Sequence, residues 1–358
     1  MKKITIAILF VALLPCCVNS QKIPSVKASS EYIRITGRVK NAQDSVALYW
    51  SGTSVLMRFN GTGLKALLRD ERDANYFNIV IDGKFKEYIK LDYGKKYYSL
   101  ASGLPEGNHT VELVKRNEWD RGNTWFYGLD VQGKMIALPP ANKRVIEFFG
   151  NSITAGYAIE NYTGGDSPDS IYTNNYNTYA AITARHFHAD LYCTVKSGIG
   201  IMVSWFPLIM PEMYDRLDPN DSTSKWDFTR VTPNIVVINL FQNDSWIVEQ
   251  PENAFFKLRF GNKKPDEQTI IRSYKSFVTN IRRAYPKANI ICALGSMDAT
   301  REGSPWPGYV KTAVNEIGDK KMFVHFFPFT NKPGHPRRED NAAMAESLIS
   351  FIDKNIRW

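Results

Sequence analysis

The chain has 358 residues, more than one hydrophobic core usually serves, so two domains are expected. Hydrophobic residues make up 44% and charged residues 23%, which excludes a disordered chain and leaves ample material for a buried interior. The formal net charge of +9 comes from scattered Lys and Arg with no basic stripe between aromatics, which argues against a nucleic-acid partner and gives only a modest pull towards acidic polymers.

In chain order, residues 1–20 read as a secretory signal peptide. Lys2 and Lys3 precede an apolar run from Ile4 to Leu14 that is too short to span a bilayer, and Val18-Asn19-Ser20 then offers modest side chains before Gln21. Leu13-Leu14-Pro15-Cys16-Cys17 loosely resembles a bacterial lipoprotein cleavage site. Release from the cell or into a periplasm is expected over a lipid anchor at Cys16 or Cys17. No later apolar run is long enough for a membrane span. Cys193 and Cys292 each lie in an apolar run and are expected as buried free thiols, and no Cys/His spacing suggests a metal.

Residues 28–133 are expected to form an antiparallel β-sandwich. Strand-length runs rich in aromatic and β-branched residues recur at 45–50, 54–59, 75–81, 87–91, 96–101, 109–115 and 124–131. Asn60-Gly61-Thr62-Gly63, Asp82-Gly83-Lys84 and Glu106-Gly107-Asn108 supply the positive-φ positions of tight turns between them. A short segment with Pro139-Pro140 follows, and the sandwich is expected to dock rather than swing.

Residues 134–358 are expected to form the second domain, of α/β class. Strands at 144–149, 189–195, 235–239, 289–294 and 322–327 alternate with helical periodicity at 175–187, 266–285, 309–317 and 339–355. That alternation predicts a parallel sheet with helices on both faces, and ligands bind such sheets beyond the carboxyl ends of the strands.

Four turns belong to that edge or lie beside it. The first strand breaks at Gly150, so Ser152 falls where a hydroxyl is exposed and its own N–H has no helical acceptor. Asn151 and Ser152 equally suit a helix cap. After the second strand comes Lys196-Ser197-Gly198-Ile199-Gly200, and after the third Phe241-Gln242-Asn243-Asp244. Gly334-His335-Pro336 precedes the last helix, and His335 alone of the five histidines falls in a loop after the last strand.

A Ser, a Gly, an Asn and a His in that order at successive strand ends resemble the SGNH (GDSL-like) hydrolases. From Tyr32 onward the chain is similar to the two-domain carbohydrate esterase family 2. The resemblance implies a jelly-roll-like sandwich joined to a three-layer α/β/α domain. Ser152 would attack an ester carbonyl, with His335 taking its proton. The N–H groups of Ser152 and Gly198 and the amide of Asn243 would hold the oxyanion. No metal and no organic cofactor is implied. The implied activity is O-acetyl esterase action on plant or microbial polysaccharides or oligosaccharides, with Trp205, Trp246 and Trp306 expected around the edge as sugar-stacking residues.

Two positions depart from the family pattern. Phe241 stands where Gly is usual and either narrows the acyl pocket or packs away from it. Lys332 stands where the Asp that orients the imidazole is usual, so a Ser152–His335 dyad with a main-chain carbonyl at the other ring nitrogen is expected. Glu339 and Asp340 are expected to start the last helix instead. The departures leave open a non-catalytic glycan-binding protein, and the residues leave open an esterase for another class of ester.

Overall fold

A computed structural model describes residues 24–358. The leader expected at 1–20, with Cys16 and Cys17, lies outside the described residues. The N-terminal domain is built from antiparallel strand pairs, ten strands wrapped around an interior that includes Val55, Met57, Phe59, Leu68, Phe77, Ile79, Leu113, Phe126 and Leu129. Its spine is the 17-residue strand Ser54–Asp70. Residues 54–60 of that strand pair with Asn108–Lys115, and residues 64–69 pair with Gly94–Ala101. The strand therefore changes partners in the middle, at the corner of the sandwich.

Gly61 and Gly63 sit at that corner, where a hairpin turn was expected at 60–63. The expectation fails for a steric reason. Gly61 has φ +149°, and a Cβ on it would lie 2.0 Å from the Gln132 carbonyl oxygen. The glycine serves the close crossing of two bending strands and does not reverse the chain. At Asp82-Gly83 the chain does reverse, with φ of 49° and 76°, between Tyr76–Ile81 and Lys84–Lys90. The last sandwich strand, Thr124–Met135, runs two residues beyond the boundary expected at 133.

The second half is a parallel sheet of five strands in the order Ala189–Val195, Arg144–Gly150, Ile235–Asn239, Asn289–Leu294, Met322–Phe326. Adjacent residues of its strands face opposite layers, as pleating requires. Phe149 joins Ile271, Tyr274 and Phe277 of the helix Glu267–Ala284, whereas Phe148 joins Tyr179, Met344 and Leu348. Glu267–Ala284 forms because Ile270, Ile271, Tyr274, Phe277, Val278 and Ile281 recur on one helical face, and because Asp266 caps it by accepting from Thr269 N–H at 2.8 Å. The helix expected over 175–187 is shorter: Asn175–Asn177 is a single 3₁₀ turn, and Thr178 caps Tyr179–His186. Cys193 and Cys292 are buried thiols on strands separated by two others, and burial pushes both up to about 12.

Arg144–Gly150 is flanked by the second strand on one side and the third on the other, so Gly150 stands at the switch point of the sheet. The strand that leads there carries Glu147, 1% exposed, among apolar neighbours. Its partner comes from the sandwich. Arg38, 2% exposed, places Nη2 at 2.7 Å from Glu147 Oε1 and gives Nη1 to the carbonyls of Tyr214 and Arg216. Tyr285 and Thr194 donate hydroxyls to the same carboxylate. Ala47, Tyr49 and Trp50 of the sandwich join the apolar core of the α/β domain, and Trp50 Nε1 donates to Leu217 O at 2.9 Å. The segment after Met135 lies along the sandwich, with Arg34 Nη2 donating to Pro139 O at 2.6 Å.

Arg38→Leu removes the guanidinium and strands Glu147, so it should lower unfolding stability by about 3–5 kcal/mol. Urea unfolding followed by tryptophan fluorescence measures this, and a loss below about 1 kcal/mol would mean that solvent reaches Glu147 through the junction.

Candidate active site

The turn after Arg144–Gly150 is tight: a Cβ on Gly150 would lie 2.1 Å from Thr154 Oγ1. Asn151 Oδ1 accepts from Ile153 N–H at 3.1 Å and caps the short helix Ser152–Ala155. Asn151 is therefore the cap and Ser152 begins the helical turn. Among the described residues no hydrogen bond engages the Ser152 N–H.

Ser152 Oγ lies 2.7 Å from His335 Nε2, and His335 Nδ1 lies 2.5 Å from Asp166 Oδ2. With Asp166 accepting from Nδ1–H, Nε2 is left to accept from the hydroxyl of Ser152. Asp166 Oδ1 also accepts from the His335 backbone N–H and from Arg337 Nη1, each at 3.0 Å. Gly334, at φ +77°, permits this approach, since a Cβ there would lie 2.8 Å from Asp166 Oδ1. Burial alone would raise the Asp166 carboxyl. The bonds from the His335 ring and backbone, the imidazole's charge and Arg337 outweigh it and hold Asp166 well below the usual carboxylate range. The ring of Tyr157 meets His335 edge to face at 4.9 Å between centroids.

The expected dyad with a main-chain carbonyl is thus corrected: the group at Nδ1 is Asp166, 169 residues before the histidine. Lys332 is instead paired with Asp340 at 2.5 Å, and Asp340 Oδ2 caps the last helix by accepting from Arg337 N–H at 2.9 Å. Asp166 lies in the irregular stretch Thr163-Gly164-Gly165-Asp166-Ser167-Pro168, where only the Gly-Gly-Asp sequence signals a turned carboxylate.

Gly198 follows the adjacent strand, with φ +82°, and its N–H has no partner among the described residues. The loop that carries it is tied to the first strand by Lys196 N–H donating to Gly150 O at 3.3 Å. Farther along, Asp244 accepts from the N–H groups of Ile201, Met202 and Val203 at 3.0, 2.7 and 3.2 Å. Full burial pushes Asp244 up to about 6 in spite of those bonds. Asn243 Nδ2 donates to Ile199 O at 2.8 Å, and its Oδ1 accepts from Trp205 Nε1 at 3.1 Å. These two contacts fix which way the amide faces and leave one N–H of Asn243 to donate elsewhere.

The three tryptophans divide. Trp205 is 39% exposed beside Asn243. Trp246 is half-buried, with Nε1 on both oxygens of Asp298 at 2.8 and 2.9 Å. Trp306, 6% exposed, is a core residue packed on Phe241 and Tyr309, so its expected place at the edge is corrected. Phe241 packs away from the edge, its ring 4.8 Å from that of Tyr274, and it holds φ +82°. A left-handed backbone explains why glycine suits this position, and burial of the ring explains how Phe is tolerated. No group of three or more His, Cys, Asp or Glu able to hold a metal occurs among the described residues.

A hydroxyl, an imidazole and a carboxylate in line at the carboxyl edge of a parallel sheet, beside unpaired N–H donors, are the apparatus of an SGNH-type hydrolase. Residues 35–140 match the family model for the carbohydrate esterase 2 N-terminal domain. The chain is similar to the cellulase/esterase CelE of Acetivibrio thermocellus, 32% identical over 329 residues, which cover 86% of this chain and 38% of that protein. It thus spans less than half the length of that relative. An acetylxylan esterase/glucomannan deacetylase of Cellvibrio japonicus is 24% identical, with 96% of each chain covered. The solved structure of a family two carbohydrate esterase from Clostridium thermocellum, in complex with cellohexaose, superposes with a TM-score of 0.80 at 31% identity, covering 90% of this chain and 98% of that one. This chain belongs to carbohydrate esterase family 2.

The strained, buried Phe241 yields an inverted order of stabilities. Phe241→Ala and Phe241→Gly both empty the ring's site at a cost of about 3–5 kcal/mol, but only glycine relieves the positive φ, worth about 1 kcal/mol. Phe241→Gly should therefore melt above Phe241→Ala in scanning calorimetry. The opposite order would show that the backbone relaxes once the ring is gone.

Proposed function

We propose that the chain is an exported carbohydrate O-acetyl esterase with Ser152 as its nucleophile. The observation that carries this reading is the 2.7 Å contact between Ser152 Oγ and His335 Nε2, with Asp166 behind the ring. Ser152 Oγ adds to the acetyl carbonyl while its proton passes to Nε2, and the carbonyl π electrons move onto oxygen. The imidazolium gains stability from Asp166, which remains a carboxylate throughout the neutral range. As the tetrahedral species collapses, the sugar oxygen leaves with the proton from Nε2. Water then repeats the sequence on the acetyl-serine, and acetate departs.

The N–H groups of Ser152 and Gly198 and the remaining amide hydrogen of Asn243 are the donors proposed for the oxyanion, each worth about 3–4 kcal/mol in the transition state. Acetylated polysaccharides are the proposed substrates because of the relatives named as acetylxylan esterases and glucomannan deacetylase. Trp205 is the proposed sugar platform. Export rests on the leader sequence at 1–20. Loss of catalysis is disfavoured because neither departure from the family pattern touches the relay: Phe241 fills core and Lys332 pairs with a helix cap.

The test is acetate release from acetylated xylan and glucomannan. Ser152→Ala should abolish it with the fold intact, and retention of more than a few per cent would refute the nucleophile. Asp166→Asn removes the acceptor that sets the imidazole tautomer and should lower kcat by roughly a thousandfold or more, whereas Asp340→Asn should change it by less than about tenfold. Equal effects of the two would remove Asp166 from the mechanism.

A further inference from the structure

One loop of the sandwich touches both halves of the site. The strand Asn108–Lys115 is followed by Arg116, Asn117, Glu118 and the 3₁₀ turn Trp119–Arg121. On one side, Asn117 Nδ2 donates to Ser170 O at 2.7 Å, while Arg116 donates to Ile171 O at 2.8 Å and to Thr173 O at 3.2 Å. These carbonyls close the stretch that holds Asp166. On the other side, Glu118 reaches the loop that holds Gly198. Ser197 Oγ donates to Glu118 Oε2 at 2.6 Å, and Ser197 N–H donates to Oε1.

Glu118 is 1% exposed, and so committed a carboxylate demands compensation. Lys196 supplies it, with Nζ at 2.9 Å from Asp120 and 3.7 Å from Glu118. Burial would lower the Lys196 ammonium, but Glu118 and Asp120 outweigh that and raise it. The Gly198 N–H belongs to the peptide between Ser197 and Gly198, so a clamp on both donors of Ser197 restricts the plane from which that N–H projects. Asp244 clamps the same loop three residues farther on, through Ile201, Met202 and Val203.

We propose that Glu118 is a positioning residue for the oxyanion donor Gly198, so that the sandwich supplies one of the two carboxylate clamps on the loop and is a working part of the esterase site. The proposal rests on the reading of Ser152 as nucleophile. An N–H displaced by a few tenths of an ångström still permits substrate to bind but meets the developing negative charge poorly, so the loss falls on turnover.

The experiment compares full-length wild type, Glu118→Gln and Ser197→Ala by kcat and KM on p-nitrophenyl acetate, melting temperature, and inhibition by methylboronic acid. Boron accepts a lone pair of Ser152 Oγ as the serine proton moves to His335, and a boron-bound oxygen then takes the oxyanion's place. Glu118→Gln keeps size but turns an amide NH₂ towards a Ser197 donor. It should lower kcat by roughly tenfold to a hundredfold, weaken the boronate in parallel, and change KM by less than about threefold. A folded Glu118→Gln with kcat within about twofold of wild type, or with its loss confined to KM, overturns the proposal. Should Glu118→Gln fail to fold, Ser197→Ala decides. It removes only the hydroxyl half of the clamp and should lower kcat by about threefold to tenfold with KM unchanged, and an unaltered kcat refutes the clamp. Ser152→Ala is the control: activity surviving in it refutes the nucleophile, whereas an inactive Ser152→Ala beside a fully active Glu118→Gln refutes only the role of Glu118.

Discussion

Glu147 is a buried carboxylate to which the sheet offers a hydroxyl, that of Thr194, but no positive charge, and the arginine that neutralises it comes from the other domain. A buried charge left alone is far costlier than a pair, so the strand that ends at Gly150 and delivers Ser152 is steadied in its place by the sandwich. Arg38 then fixes the carbonyls of Tyr214 and Arg216, and Tyr49 and Trp50 carry the apolar core across the junction. The two halves are separate in topology and joined in energy. The active site lies close to the seam.

Three carboxylates around the site show how environment assigns work to one functional group. Asp166 faces an imidazole and a guanidinium and stays ionised. Asp244 is fully buried, with peptide N–H groups as its partners, and burial pushes it up to about 6. Glu118 shares its burial with Lys196. Only the first touches His335, and the other two hold backbone in place.

The period of the apolar residues made the domains legible, because alternation with Gly-bearing turns and alternation with helical stretches are both local signals. Ser152, Gly198, Asn243 and His335 were legible because each follows a strand end, and strand ends can be read along the chain. Asp166 was not. It lies in an irregular stretch with no period, and only the fold brings it to a histidine far along the sequence. Glu118 was hidden for the same reason, since a contact between domains leaves no trace in local pattern. Gly61 misled because glycine at positive φ serves a turn and a close strand crossing alike. Trp306 misled because its loop neighbours concealed that it begins a helix, Trp306–Ile317, and packs inward.

The junction also bears on how the protein is made. Synthesis finishes the sandwich at Met135, but Glu147 enters a sheet only when the strands on both sides of it, the later one ending at Asn239, have emerged. At the roughly 5–20 residues per second of translation, that interval is on the order of ten seconds, and until it ends the core that Tyr49 and Trp50 join and the carboxylate that Arg38 pairs with are not in place. The junction of the two domains therefore waits for the strand Ile235–Asn239, however early the sandwich is complete.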